Sequence, residues 1–487
     1  MKKHFIYASI LCLTGLGACN RDYLSPTPET SVAIDESLST PSRVNTQLLS
    51  LYAALKAGNF YGGRYVIYGD IRGEDFINET SNLITGSDVW ALNATNSTTA
   101  ITNLWSYAYL TINRCNLFID GMNAGGSALV GAETAAQYLA EAKLIRALSY
   151  YSLLQFYARP YADNKGNNPG LPLRLTGIST SGSSALARSS VAEVYTQVLA
   201  DLNEAEANLP ASYSPAATNT TRAHKNTAIA LKTRVYLSMQ DYAKVVTEAN
   251  KIVTSAAPFT SPTGVAHALQ SNITTVFTNY TTTESIFSLP MTVTGGDNPG
   301  TQNQLGYYFS PTAANGGVGN QEYSLNPNGI IANTNWKASD TRRSFVATTS
   351  NGKRWLTKYK APSPYTDYVP VIRYAEVLLN LAEARTRTTN SVDPQAVALL
   401  NAVRNRSDAT TTFTTASFAS ATELIDAILL ERRIEFLGEG LRNNDLMRLL
   451  QTIPAKGTVP AKSSSENGYI WPISSSELAL NPLAKDN

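Results

Sequence analysis

Residues 373–384 read RYAEVLLNLAEA and carry one apolar stripe. The apolar side chains recur every three or four positions, at Tyr374, Val377, Leu378, Leu381 and Ala382. This spacing places them on one face of an α-helix, where they can pack against other helices. Glu376 and Glu383 lie on the same helix, and carboxylates in such a setting more often cap a helix or pair with an arginine than catalyse a reaction. The segment therefore predicts a packed structural helix.

Helix start signals mark three further segments. The motif S-x-x-E, a capping box, occurs at residues 190–193 and 420–423, each time beside an apolar run at helical spacing. Asp393-Pro394 places a capping residue and then proline at the first helical position. These signals predict three helices.

Two other segments predict closely packed helices. Residues 139–157 are apolar nearly all round, which is expected of a helix that other helices enclose. Residues 227–253 predict a helical hairpin with a break near Gln240, and this hairpin resembles a tetratricopeptide repeat turn. The chain has no strict 34-residue period, so the predicted repeats are degenerate.

Helical periodicity fades between residues 258 and 370, where Gly, Pro, Asn and Thr surround scattered aromatic residues. Short strands are expected at Ser285–Val293 and Arg354–Tyr359. An irregular stretch of this length inside a packed protein usually has a function. The predicted fold class is mainly α, with degenerate helix pairs and a long loop-rich insertion that holds a few short strands.

Composition restricts the classes of partner. The chain has 487 residues, 43% of them hydrophobic and 16% charged, and a formal net charge of +2. This apolar content suffices for a large buried core. The near-neutral charge and the lack of a run of Lys and Arg argue against nucleic acid as a partner. Abundant Asn, Ser, Thr and Tyr would suit a neutral polar ligand.

The first residues predict export and lipid anchoring. Residues 1–18 combine a basic start with an apolar stretch too short for a stable membrane span, and Leu16-Gly17-Ala18-Cys19 resembles a lipobox. Cys19 is then the lipidated first residue of the mature protein, and residues 19–41 are a proline-containing tether. The alternative is an ordinary signal peptide that happens to contain Cys19.

Few residues suggest chemistry. After removal of the signal peptide Cys115 has no disulfide partner within the chain, and its apolar helical context favours a small buried thiol over a nucleophile. His224 and His267 are isolated in sequence and lack metal-ligand spacing. The sequence contains no HExxH, no G-x-S-x-G and no phosphate-binding loop. No cofactor is predicted, and no EF-hand-type loop marks a calcium site, so the question of a bound metal stays open.

Two alternatives to a simple binding protein remain. A helical glycosidase needs two carboxylates across a cleft, and Asp70, Glu74, Asp75 and Glu79 are candidates. The alternative for these four residues is a solvated polar loop, and the sequence does not favour catalysis. A repeat scaffold that binds peptides is the other alternative. The residues favour a protein that is not an enzyme.

An ordered series of motifs resembles the SusD/RagB family and spans nearly the whole mature chain. In the N-terminal half these are Trp105-x-x-x-Tyr109-x-x-x-Asn113-Arg-Cys-Asn, Glu141-Ala-Lys-Leu-Ile-Arg-Ala-Leu-Ser-Tyr-Tyr and Gly170-Leu-Pro-Leu. In the C-terminal half they are the opening segment 373–384, Leu400-Asn401-x-x-Arg404-x-Arg406, Glu431-Arg-Arg-Ile-Glu435-Phe436, Glu439-Gly440-x-Arg442-x-x-Asp445-Leu446, Trp471-Pro472-Ile473, Glu477 and Asn481-Pro482. Physically, Asp445 is spaced to pair with Arg442 and Arg448 along one helix.

The resemblance implies a lipoprotein on the outer face of the outer membrane that binds nutrients, most often glycans, beside a SusC-like TonB-dependent transporter. It also implies one SusD-like body over residues 42–487. Within that body, a repeat-like helical half covers residues 42–257, a ligand-facing insertion covers 258–370, and the signature region covers 371–487. Calcium occurs in some members of the family.

Ligand contacts are expected from loop aromatics rather than from rings on helical stripes. Five rings lie in polar or Gly-rich surroundings, where display on the surface is plausible: Tyr65, Trp90, Tyr307, Tyr308 and Trp336. Arg72 and Asp75 lie close in sequence to the first of them, in a segment that lines ligands in family members. Trp105 lies on a predicted helix and is expected in the core.

Overall fold

A computed structural model describes residues 37–179 and 185–487. The predicted signal peptide, Cys19 and all but the last residues of the predicted tether lie outside this part of the chain. The α-helices are α1 (Pro41–Leu55), α2 (Arg64–Ile71), α3 (Ser87–Trp90), α4 (Thr99–Gly121), α5 (Ser127–Val130), α6 (Ala132–Tyr157), α7 (Val191–Asn208), α8 (Lys225–Ser238), α9 (Tyr242–Ala249), α10 (Ile273–Val276), α11 (Leu305–Phe309), α12 (Tyr374–Thr389), α13 (Pro394–Ser407), α14 (Ala421–Glu435), α15 (Arg442–Arg448) and α16 (Ser475–Leu480). The mainly α fold is confirmed.

Helix α6 occupies the centre of the N-terminal half, as its all-round apolar pattern predicts. It packs against α4 on one side and α7 on another, and residues 140–157 are buried almost throughout. Arg146 supplies the polar link between these helices. Its Nε and Nη2 donate to Asp201 on α7 at 2.8 and 2.7 Å, and its Nη1 donates to Asn116 on α4 at 2.8 Å. A buried charge is tolerated here because its donors are satisfied.

The predicted helix starts are confirmed with one difference. Ser190 Oγ accepts from the Glu193 N–H at 3.2 Å, while the Glu193 carboxylate accepts from the Ser190 N–H at 2.7 Å. Ser420 accepts from the Glu423 N–H at 3.2 Å, but the Glu423 carboxylate accepts from the preceding Ala419 N–H. The second motif therefore forms only one of the two hydrogen bonds of a capping box.

Two further helix predictions hold. Asp393 Oδ1 accepts from the Ala396 N–H at 2.8 Å, and Pro394 is the first residue of α13. Helices α8 and α9 form the predicted hairpin, and Gln240 between them has φ of 59°. This left-handed conformation ends the first helix and reverses the chain.

Helix α12, which contains the opening segment, packs against α8, α9, α13 and α14. Its two carboxylates pair with arginines, as predicted. Glu376 accepts from Arg234 on α8 at 2.7 and 2.6 Å, and Glu383 accepts from Arg448 on α15 at 2.8 and 2.7 Å. These carboxylates join helices that are distant in sequence.

The expected pairing of Arg442 with Asp445 is wrong. Arg442 begins α15, and its Nε donates at 3.0 Å to Glu74 in the N-terminal half. Asp445 accepts from Arg448, as predicted, and also from Arg432 on α14. The long Arg442 side chain leaves its own helix because a buried carboxylate from another segment lies within reach.

Among the described residues, short antiparallel strands form four pairs, and three of these pairs involve the loop-rich insertion. They are β1 (Phe76–Asn78), β2 (Pro169–Pro172), β3 (Arg188–Ser190), β4 (Ser285–Leu289), β5 (Tyr323–Leu325), β6 (Val346–Thr348), β7 (Arg354–Leu356) and β8 (Val369–Arg373). The predicted strands at 285–293 and 354–359 exist in shorter form. β4 pairs with β8, which closes the insertion near its two ends, and β1 pairs with β5, which fastens it to the N-terminal half. β2 pairs with β3 and β6 with β7.

Within residues 37–179 and 185–487, no helix combines the length and the apolar character that a membrane crossing requires.

Candidate functional site

Arg64, the first residue of α2, joins two surface loops. Its Nε donates to Asn303 Oδ1 at 2.8 Å, and its Nη1 donates to the Ile84 carbonyl oxygen at 2.6 Å and to the Tyr68 hydroxyl at 2.8 Å. The guanidinium carbon lies 5.4 Å from the centroid of the Tyr308 ring. A buried guanidinium with this many partners fixes both loops on the end of α2.

We call the surface around these loops the loop face; it consists of residues 79–99 and 291–303 together with Tyr307 and Tyr365. Apolar side chains are unusually exposed on it. Leu83, Ile84 and Val293 have exposed fractions of 67%, 59% and 69%. Leu83 and Ile84 are adjacent, and large aliphatic side chains exposed side by side mark surfaces that contact a ligand or partner.

A cleft of about 250 Å³ opens on the loop face. Its lining combines aliphatic side chains, hydroxyl groups and one carboxylate, from Leu83, Ile84, Asp88, Thr95, Ser97, Thr98 and Thr99. Burial raises the pKa of Asp88, while the N–H of Val89 opposes this by donating to its carboxylate. Since binding sites for small organic molecules usually measure about 300–1,000 Å³, the cleft suits one unit of a larger ligand.

Two of the predicted ligand rings keep accessible surface on or near this face. Tyr307 is partly exposed and packs edge-on against Tyr365, with centroids 5.8 Å apart. Trp90 is also partly exposed, and its Nε1 donates to the Phe76 carbonyl oxygen at 2.8 Å, which orients the ring. Contact of Trp90 and Tyr307 with a ligand stays a prediction.

The other three predicted rings are buried, so their expected display on the surface is wrong. Tyr65 packs between Tyr61 and Phe156, with centroid distances of 4.5 and 5.5 Å. Tyr308 lies under Arg64, and Trp336 lies under the guanidinium of Arg343 at 4.0 Å. Tyr65 and Tyr308 lie on the short helices α2 and α11, and Trp336 lies in a loop, so the sequence offered too little periodicity to distinguish a buried ring from one open to solvent. Trp105 is buried, as predicted.

The predicted polar companions are buried as well. Arg72 donates from Nε to Asn443 Oδ1 at 2.9 Å, and burial lowers its pKa to about 10. Asp75 accepts from Arg433 Nε at 2.8 Å and from the Ile330 N–H at 2.7 Å. Both side chains link segments of the body that are distant in sequence. The prediction that they are exposed to a ligand is wrong.

Each of the four acidic residues considered for catalysis makes a hydrogen bond or an ion pair within the body. The alternative prediction, a solvated polar loop, is therefore also wrong. Asp70 accepts from the Gly440 N–H at 2.7 Å, and burial raises the pKa of its carboxyl well above the usual range. Burial alone would raise the pKa of Glu74, but Arg442 and Arg433 bring it below its usual value. Glu79 pairs with Lys353. These contacts give each carboxylate a structural role.

The two histidines are not isolated in space. His224 and His267 are buried and stack with ring centroids 5.3 Å apart. Burial lowers the pKa of His224 to about 3 and that of His267 to about 4. Cys115 is buried, and burial raises the pKa of its thiol far above the usual range, which suits an inert thiol. Among the described residues, no three His, Cys, Asp or Glu side chains form a group that could hold a metal ion.

Sequence reasoning missed Arg64, Asn303 and the lining of the cleft. Two signals were present. Leu83-Ile84 is an apolar pair inside an otherwise polar loop, and residues 93–100 read NATNSTTA, a dense run of hydroxyl and amide side chains. Apolar and hydroxyl groups in adjoining loops are the combination found at the cleft.

Comparisons with known proteins agree with this fold. The model of the SusD family matches residues 234–487, and a model described as starch-binding associating with outer membrane matches residues 22–237. A SusD superfamily protein from Bacteroides fragilis is 30% identical with a TM-score of 0.81, covering 92% of this chain and 99% of that one. The SusD-like protein P38 of Formosa agariphila is 24% identical over 526 residues, covering 99% of this chain and 98% of that protein.

The surface glycan-binding protein A of Bacteroides thetaiotaomicron, solved with laminarihexaose, is 18% identical and has a TM-score of 0.73. The match covers 92% of this chain and 99% of that one. At this identity the likeness shows the fold alone. The two family models together account for residues 22–487, and the chain belongs to the SusD family.

Proposed function

We propose that this protein binds a neutral glycan at the loop face. The observation that carries the proposal is the cleft itself, in which exposed aliphatic side chains adjoin hydroxyl groups and the carboxylate of Asp88. A pyranose ring has an apolar face and a rim of hydroxyls, so this lining matches both parts. Tyr307 is partly exposed on the loop face although it does not line the cleft, and it is the ring that would stack against the apolar face of a sugar.

The family comparison supports the ligand class. The surface glycan-binding protein A of Bacteroides thetaiotaomicron, which shares the fold, is described with laminarihexaose bound. The cleft of about 250 Å³ is small, which favours recognition of one unit within a chain that continues beyond it. A longer glycan would then lie across the exposed Leu83 and Ile84.

We further propose that the protein is a lipoprotein of the outer membrane, anchored through Cys19 and facing the exterior, and that it delivers its ligand to a SusC-like TonB-dependent transporter. The lipobox-like residues 16–19 support the anchor. The description of the family model that matches residues 22–237, associating with outer membrane, supports the location. Anchoring would raise the effective concentration of the two partners, so a modest interface would suffice.

Catalysis is the weaker proposal. A glycosidase needs two carboxylates on opposite sides of the scissile bond. The cleft on the loop face is lined by the carboxylate of Asp88 alone, and Glu74 and Asp75 are occupied by Arg442 and Arg433. A binding role requires neither a second carboxylate nor a metal ion.

The test is a glycan array followed by calorimetric titration of the mature chain without its lipid. We expect one class of neutral glycan to bind, and Tyr307→Ala to weaken binding about tenfold through loss of a stacking ring. Tyr138→Ala, at another partly exposed tyrosine, is the matched control and should bind normally. Binding of peptides but not glycans, or release of reducing ends from the bound glycan, would contradict the proposal.

A further inference from the structure

A second groove, of about 320 Å³, shares no lining residue with the loop face. It is formed by α14, by the loop that precedes this helix, and by Asn335 and Lys337 of the insertion. Its principal lining residues are Lys337, Phe413, Phe418, Asp426, Ala427 and Leu430. We call it the Phe413 groove. Asn335 and Lys337 flank the buried Trp336, so this part of the insertion does border a cavity, although its tryptophan does not.

Two aromatic rings give the groove an apolar wall. The rings of Phe413 and Phe418 are both partly exposed, and their centroids lie 5.3 Å apart at an interplanar angle of 39°. Asn401 on α13 holds the first of them in place. Its Nδ2 donates to the Phe413 carbonyl oxygen at 2.7 Å, and its Oδ1 accepts from the Phe413 N–H at 2.9 Å. The wall is therefore preorganised rather than formed by a free loop.

The edge of the groove carries hydrogen-bonding groups that have no partner among residues 37–179 and 185–487. The side chains of Lys337 and Asp426 are exposed, and neither makes a hydrogen bond or an ion pair within the described residues. Arg404 also lines the groove although it is only 2% exposed, and its Nε has no acceptor among the described residues. A donor buried without an acceptor is costly, so such atoms mark places where a further polar group is accommodated.

The charge of the lining restricts the ligand. Lys337, Glu423 and Asp426 line the groove at the surface, whereas the charge of the buried Arg404 is paired with Glu431, so the groove has no excess of cations and only two carboxylates line it. A phosphate or nucleotide needs an excess of cations, and a metal ion needs an excess of oxygen ligands. The volume is also too small for an extended peptide. A single neutral polyhydroxylated ring fits the apolar wall, the volume and the mixed donors and acceptors.

We propose that the Phe413 groove is a second saccharide subsite, which takes one pyranose unit of a neutral glycan independently of the loop face. The inference rests on the proposed function, since it assumes that glycans are the ligands. The rings of Phe413 and Phe418 would stack on the apolar face of the sugar, while Lys337 and Asp426 bond its hydroxyls. Two subsites on one body would let a long glycan bind more tightly than a short one.

The test uses the mature chain labelled with carbon-13 in its Phe rings, titrated separately with the methyl glycosides of glucose, galactose, mannose and xylose. The resonances of Phe413 and Phe418 are assigned with the variants Phe413→Leu and Phe418→Leu. We expect at least one glycoside to shift both resonances with a saturable dependence on concentration. If none of the four shifts them, the subsite does not exist.

Variants separate the groove from the loop face. The double variant Lys337→Ala with Asp426→Ala changes only exposed side chains. It should weaken the glycoside affinity that is measured from the Phe413 and Phe418 shifts about tenfold. Tyr307→Ala, on the loop face, should leave these shifts intact while it weakens glycan binding there. If glycans bind and Tyr307→Ala abolishes all binding, the proposed function stands and the groove proposal falls. If no glycan binds at either place, both fall.

Discussion

His224 and His267 stack inside the body, with the ring of Tyr374 6.2 Å from His267. Burial lowers the pKa of His224 to about 3 and that of His267 to about 4, whereas the ordinary value is 6.5. Between pH 6.5 and the lower pKa of each folded histidine, the unfolded chain binds a proton at that ring that the folded chain does not bind. The contribution of both rings to stability is therefore complete above pH 6.5 and is lost as the pH falls towards 4.

We expect the free energy of unfolding to fall by about 2 kcal/mol for each ring between pH 7 and pH 5. Urea denaturation at a series of pH values measures this. The double variant His224→Phe with His267→Phe removes both groups, and its stability should depend less steeply on pH over the same range. An unchanged slope in this variant would show that other groups cause the acid sensitivity.

The exposure of the candidate ligand-binding side chains was the feature that the sequence predicted least well. Trp105 could be placed in the core because it lies on a helix, where spacing reveals the buried face. Trp336 and Tyr308 lie in a segment without such spacing, and each ring is covered by a guanidinium, from Arg343 and Arg64. Such a cover depends on tertiary contacts that no local pattern records.

Among the helices, α2 matters most for the candidate site because Arg64 begins it. Its C-terminal end is held by Lys456, whose ammonium donates to the carbonyl oxygens of Ile71, Arg72 and Gly73. The last carbonyls of a helix have no partner within it, and a cation is the favoured partner at this end. Lys456 thus joins a C-terminal loop to the helix that organises the loop face.

Lys456→Met should lower the free energy of unfolding by about 2 kcal/mol, since it leaves three buried carbonyl groups without a donor. Lys462→Met is the control, because Lys462 lies nearby in sequence but donates to one exposed carbonyl oxygen, that of Asn467. Its effect should stay within about 0.5 kcal/mol. Equal losses in the two variants, measured by urea denaturation, would remove the case for a cap at Lys456.

Helices were predictable where local chemistry and packing agreed. Asp393-Pro394 and the motif at 190–193 specify helix starts through their own side chains, and both form as predicted. The strands at 285–289 and 354–356 were predicted, but the predicted bounds extended too far, to residues 293 and 359. A strand ends where its partner ends, and those partners, β8 and β6, could not be identified from the sequence alone.

At the scale of the whole molecule, six charged residues of the family signature belong to one buried ionic network. Five cations meet five carboxylates there: Arg342, Lys358, Arg373, Arg404 and Arg406 with Glu284, Asp340, Glu431, Glu435 and Glu439. The opposing Arg residues bring the pKa of Glu435 well below its usual range, although burial alone would raise it. The network joins the insertion to α13 and α14, which explains how the signature identifies the fold without marking the ligand.

Arg373→Met should lower the free energy of unfolding by about 3–5 kcal/mol, because it leaves Glu284, Glu435 and Glu439 short of a buried partner. Lys143→Met breaks the surface pair with Glu204 and should cost at most about 1 kcal/mol. Guanidinium denaturation compares the two. A loss near 1 kcal/mol for Arg373→Met would mean that water or a structural shift replaces the missing charge.

The proposed role of the whole molecule is that of a lid on a transporter. Helix α1 begins at Pro41, so the chain between Cys19 and the body can span at most about 75 Å when fully extended. A lipid at Cys19 would confine the body to a thin layer above the membrane, where a weak contact with a transporter is sufficient for assembly. Opening about that contact would expose the loop face to the medium, and closing would bring a bound glycan to the transporter mouth.

Cys19→Ala should therefore release the protein from the membrane fraction and remove fatty-acid labelling, while glycan binding by the released chain stays unchanged. Affinity purification of the tagged wild type from native outer membranes should recover a β-barrel transporter in near-equal amount. Cys19→Ser serves as a second variant, because it preserves size and polarity but offers no thiol for lipid attachment. Unlabelled wild type would contradict the anchor; labelled wild type recovered alone under gentle detergent, with glycan uptake unaffected by its deletion, would contradict the lid while leaving the anchor intact.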